Sequence, residues 1–147
     1  MKAKLIHAAD GLRTFAVILE TGDEAVSRIK AFADREKLSA SQLTAIGAFS
    51  DVVLGYFDWQ DKHYRRNPFA EQVEVAAFIG DIALTPDGER SLHAHVVLGR
   101  RDGGALAGHL LQAHVRPTLE VVLTENPVHL RKRRDLESGL ALIDPLE

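Results

Sequence analysis

The chain has 147 residues, 18 Lys and Arg against 21 Asp and Glu for a formal net charge of −3, and no cysteine. That length fits one domain with its own core, and the missing thiol excludes disulfides, cysteine nucleophiles and thiolate metal sites. The acidic balance counts against a domain that grips nucleic acid by bulk charge. No stretch reads as a signal peptide or membrane span, so a cytoplasmic setting is expected.

Residues 12–19, LRTFAVIL, are rich in β-branched and aromatic side chains and predict a strand. Thr21 followed three residues later by Glu24 is a capping box, and Val26, Ile29, Phe32 and Ala33 share one helical face. A helix is therefore predicted over residues 23–36. Residues 39–42, SASQ, resemble a second cap that opens a short helical turn. Two strands are predicted next, over 43–49 and 51–58, with Gly47 and Gly55 marking a bulge or a close backbone approach.

Residues 59–62 form a polar turn, and HYRRN after it is a short or irregular segment. Residues 71–78 and 80–84 are apolar, with Gly80 as a bend between them. TPDGE, residues 85–89, is a turn because Pro presets φ and Gly permits positive φ. Residues 92–98 return as a strand, Asp102-Gly103 marks the next reversal, and residues 118–124 form a late strand. A tail begins at Asn126. The pattern is α+β: one principal helix packed on a mainly antiparallel β-sheet of short strands, without internal repeats.

The chemistry concentrates in residues 91–125, which hold four of the seven histidines. His93 and His95 lie two apart in a predicted strand, so both imidazoles point to one face. The turn after them returns a segment carrying His109. Three neutral imidazoles around an open position form a zinc arrangement, although imidazole also suits copper, iron and nickel.

Several blocks, in order, resemble the plants-and-prokaryotes-conserved (PPC) domain, found alone in prokaryotes and fused to AT-hook segments in plants. They are RTFAVILETGDEAVSRIKAFA, AIGAFSDVVLGYFD, VEVAAFIGDIAL and LHAHVVLGRRDGGALAGHLLQAHVRPTLEVVLTE. The last is the most distinctive, with H-x-H, a glycine turn, G-H-L and T-x-E-V. The resemblance spans about residues 13–125 of a single domain over 1–147, leaving 126–147 as a C-terminal tail. It implies a compact antiparallel domain, a homotrimer, and a zinc ion on His93, His95 and His109. His114 lies outside that pattern. Ala107-Gly108 stands where the family often has two glycines. No Arg-Gly-Arg-Pro AT-hook core occurs, so the part of the plant proteins that enters the minor groove is missing.

Three functions remain open at this level. One is a metal-binding regulatory or small-ligand module, or a protein–protein interaction module without metal. Another is a metal-dependent hydrolase or lyase acting on a small substrate, with Glu120 as the candidate base and Arg100 or Arg101 as an anion contact. The last is DNA binding through Lys62, Arg65 and Arg66 or through Arg131, Lys132, Arg133 and Arg134. No nucleophile elbow, P-loop, dinucleotide fingerprint or helix-turn-helix pattern is present, and Gly103-Gly104 is hairpin chemistry.

Overall fold

Two very long strands organise the molecule. In the computed structural model, which describes residues 1–145, β1 (Lys2–Ala9) and β2 (Leu12–Glu20) form a hairpin, followed by the helix α1 (Ala25–Glu36). Next come β3 (Ala40–Asp58), β4 (His63–Phe69), β5 (Val73–Leu84), β6 (Arg90–Gly99) and β7 (Ala105–Glu125). A small hairpin, β8 (Arg131–Arg134) and β9 (Ala141–Asp144), closes the described chain.

At 19 and 21 residues, β3 and β7 far exceed the usual strand of about five or six. Strands of that length must bend to stay on one core, and the register of β3 against β7 shifts at three places. The bends let each strand serve different partners along its length. β7 lies between β2 and β3 at its C-terminal end, and between β3 and β6 at its start. β3 is flanked by β5 over its first half and by β4 over its second. The hydrogen-bonded circuit β3–β5–β6–β7–β3 thereby closes on itself, with residues 90–94 of β6 paired to β5 alone.

The core follows from alternation. Ala94, Val96 and Leu98 of β6 are buried, as are Leu119, Val121 and Leu123 of β7. Helix α1 lays Ala25, Ile29, Phe32 and Ala33 on this surface, and the Phe32 and Phe15 rings meet edge to face at 5.3 Å. The sequence predicted the helix and its buried face. Its N-cap is Glu24 itself, whose carboxylate accepts from the Val26 and Ser27 amides, rather than Thr21 in a capping box.

Other expectations change for tertiary reasons. Residues 40–42 enter β3 instead of forming a helical turn, because Ser39 and Ser41 turn their polar groups to Glu125. The two strands predicted over 43–58 are one, and so are the two apolar stretches of β5. At Gly47, with φ near +152°, a Cβ would collide with the Thr118 carbonyl, so the bend requires glycine without ending the strand. HYRRN is regular β4, held to β3 residue by residue. The late strand is the end of β7. The expected tail contains β8 and β9; its last two residues, 146 and 147, lie outside the described residues. Among the described residues, no helix is long and apolar enough to cross a membrane.

Glu125 is a buried carboxylate that ties the end of β7 to the start of β3. It accepts from the Ser39 amide at 2.8 Å, the Ala40 amide at 3.1 Å and the Ser41 hydroxyl. Glu125→Ala strands these donors in the interior and is expected to cost about 3 kcal/mol. Glu125→Gln, which keeps an acceptor, should cost less. Urea denaturation of the two variants measures the difference.

Candidate metal centre

The two hairpins around β6 fix the site. In the β5–β6 hairpin, Leu84 pairs with Arg90 across the TPDGE turn, and the regular ladder then places Asp81 opposite His93. In the β6–β7 hairpin, Gly99 pairs with Ala105, which brings His109 directly opposite His95. Since Ala94, Val96 and Leu98 face the core, His93 and His95 stand on the outer face of the sheet.

One nitrogen from each of His93, His95 and His109 lies within 4.8 Å of the others. The ring centroids are 5.2 to 5.4 Å apart. The centre of such a triangle lies within about 2.8 Å of each nitrogen, so small ring rotations toward an ion would bring all three to ordinary Zn–N lengths of about 2.0–2.1 Å. Nδ1 of His109 is buried without a hydrogen-bond partner, so its lone pair or proton is unsatisfied by the protein. Burial, then the neighbouring His93 and His95, push the His109 imidazole down to about 4. Burial and His93 lower His95 as well. Both effects favour neutral rings, the form that donates to a metal. The donor set therefore fits a divalent transition ion. Such an ion would supply Lewis acidity, with three neutral ligands leaving its positive charge uncompensated.

Three further side chains complete the surroundings. Asp81 Oδ2 faces His93 Nδ1 at 3.3 Å, the carboxylate–histidine relation that orients a ligating ring. Asp81 Oδ1 is 3.5 Å from Lys132 Nζ, an ammonium only 5% exposed that arrives from β8. Burial pushes the Asp81 carboxyl up, but His93 and Lys132 outweigh it and hold the group below the usual carboxylate range. The Tyr64 ring stacks on His109 with centroids 4.6 Å apart. It can lie there because Gly55 beneath it has no side chain; a Cβ would come within 2.8 Å of the ring.

The other predicted residues lie elsewhere. Glu120 is exposed eleven residues further along β7, between Ile18 and Ile46, and is not brought beside the histidines. Arg100 pairs with Glu71 at the β6–β7 turn, where Arg101 is exposed. His114 is bound to Asp51 at 2.8 Å, and that carboxylate raises its pKa. Arg65 pairs with Asp58 and Asp61, Lys62 stands over the Trp59 ring, and Arg66 is exposed. Arg131, Arg133 and Arg134 are exposed, with Arg133 3.4 Å from Asp144, while Lys132 points inward. Sequence reasoning missed Asp81 and the packing role of Tyr64. The signal for Asp81 was present, since counting outward from TPDGE sets it against His93.

An antiparallel β protein with one helix and an outward three-histidine cluster is the class these features define. The chain belongs to the Plants and Prokaryotes Conserved (PCC) domain family, whose model matches residues 6–127. A PPC protein from Pyrococcus horikoshii has a similar structure, at 29% identity and a TM-score of 0.85, covering 96% of this chain and 99% of that one. A metal-containing protein from Archaeoglobus fulgidus is 28% identical with a TM-score of 0.82, covering 97% and 99%. A Bacteroides thetaiotaomicron protein described as a candidate DNA-binding protein is 26% identical with a TM-score of 0.85, covering 96% of each chain. A search of curated proteins finds no match.

The depressed pKa of His109 has a stability consequence in the metal-free chain. The unfolded chain takes up this proton near pH 6.5 and the folded chain only near 4. The contribution is therefore complete above pH 6.5 and is lost as pH falls toward 4. Between pH 7.5 and 5 the full shift would remove about 2 kcal/mol, and solvent screening of this partly buried ring brings the expected loss to about 1 kcal/mol. Urea denaturation of metal-free protein at the two pH values should show it, and His109→Asn should flatten the difference.

Proposed function

We propose that this chain is a homotrimeric metal-binding PCC protein in which His93, His95 and His109 hold one zinc ion per subunit, open on its outer side to a small ligand. The convergence of three imidazole nitrogens within 4.8 Å carries the metal assignment. The unpartnered His109 Nδ1 and the Asp81 support of His93 strengthen it. The Archaeoglobus relative, described as metal-containing, points the same way.

Self-association is supported by an apolar outer face. Ile46, Ile79 and Val122, at 62%, 66% and 49% exposure, project from β3, β5 and β7 on the side that carries His95. Exposed apolar clusters of this kind on a small domain mark contact surfaces.

Direct DNA binding, the description attached to the Bacteroides relative, has less support in these residues. The net charge is −3 and the AT-hook core is missing. Arg65 is neutralised by two aspartates, and Lys132 is turned inward. A hydrolase or lyase reading loses its expected base, because Glu120 lies far along β7, and the carboxylate that does stand beside the histidines, Asp81, is engaged by His93 and Lys132.

Elemental mass spectrometry on tag-free protein purified without added metal should find one zinc per subunit. A folded H93A/H95A variant should lose it, and light scattering should give three times the chain mass for both. Protein that stays empty after zinc is added refutes the metal assignment, and a monomer refutes the trimer.

A further inference from the structure

Beside the histidines, the C-terminal hairpin leaves a cleft of about 430 Å³. Its polar lining includes His93, His109 and Lys132. Its apolar lining comes from Leu92 of β6 and from residues 140–143, with Ile143 directly across the hairpin from Lys132. In the chain as it stands, Leu142 and Ile143 are 47% and 40% exposed at the mouth of this cleft. Apart from Leu92, the residues that supply the apolar lining and the ammonium lie beyond residue 127, outside the segment matched by the family model.

The polar and apolar parts of the lining call for different chemistry. With a divalent ion on three neutral imidazoles, and with Asp81 and Lys132 cancelling each other, the polar part would carry a net positive charge. Lys132 has three N–H donors, and a single carboxylate at 3.5 Å leaves donors to turn toward the cleft. An anion that bridges an ion and an ammonium fits there. The apolar lining beside it favours a hydrocarbon body, which would cover Leu142 and Ile143.

We infer that this cleft binds a small monocarboxylate with an aliphatic tail, the carboxylate directed at the metal ion and Lys132 and the tail lying along residues 140–143. This rests on the three-histidine metal assignment and adds the ligand class to it. Lys132 is thus a ligand-binding residue supplied by the C-terminal hairpin.

The test uses the full chain loaded with cobalt(II), whose visible absorption reports changes at the ion. Acetate, butyrate and hexanoate are titrated in turn. Each is expected to shift the spectrum, with affinity rising roughly threefold per added methylene. Lys132→Met should weaken every carboxylate roughly tenfold at unchanged cobalt content. Leu142→Ser, a change at an exposed edge position, should leave acetate binding intact and flatten the gain with chain length. A cobalt spectrum that no carboxylate moves overturns the ligand inference alone, and so does binding that ignores chain length in the unmodified protein. Failure to develop a histidine-ligated cobalt spectrum overturns the metal assignment and this inference with it.

Discussion

Strand register is the constraint on which the site depends. In a β-ladder the side-chain period is two, so slipping β6 by one residue would turn His93 and His95 into the core and Ala94 and Val96 out to water. Burial of Ala94, Val96 and Leu98 prevents that slip. The same ladders place His109 opposite His95 and Asp81 opposite His93. The closed circuit of β3, β5, β6 and β7 then holds both hairpins in one frame. Two separate hairpins would each keep a register, but nothing would fix their faces relative to one another.

The polar groups around the histidines divide into those that favour neutral rings and those that hold them in place. Burial keeps His109 neutral at ordinary pH, which prepares a ligand while removing the water that would otherwise satisfy it. Asp81 and Lys132 compensate each other, so His93 gains an orienting carboxylate without adding an unbalanced charge to the sheet surface. Tyr64 covers His109 from β4, and the space for its ring comes from Gly55. An acid, an ammonium, an aromatic ring and a glycine thus converge from four strands on a site whose candidate ligands lie on only two.

The C-terminal hairpin, which follows the segment matched by the family model, contributes to this site. Residues 6–127 supply the three histidines, Asp81 and Tyr64. Residues beyond them add a buried ammonium and an apolar wall. A run of four basic residues on an edge strand is ordinarily solvated, and Arg131, Arg133 and Arg134 are. Lys132 differs because alternation on β8 turns it, between exposed Arg131 and Arg133, back toward the sheet, where it meets Asp81 of β5.

The amino-acid sequence by itself determined the helix and its buried face, the β character of residues 12–19, 43–49, 51–58, 71–84, 92–98 and 118–124, both turns that flank β6, and the three histidines. Those features are local: periodicity, turn chemistry and two-residue spacing act within a few positions. Even the opposition of His95 and His109 was legible, because a hairpin of known turn length fixes its own pairing. The tertiary structure alone decided the rest. Two predicted strands became one because a register shift against β7 between Phe49 and Asp51 bends β3 without ending it. Glu120 was separated from the histidines because β7 runs on as a single strand of 21 residues. Lys132 left the basic surface because the tail folds back onto β5 through a single parallel bridge. These outcomes depend on contacts between residues distant in sequence, whose side chains carry no local mark of the partners that burial will give them.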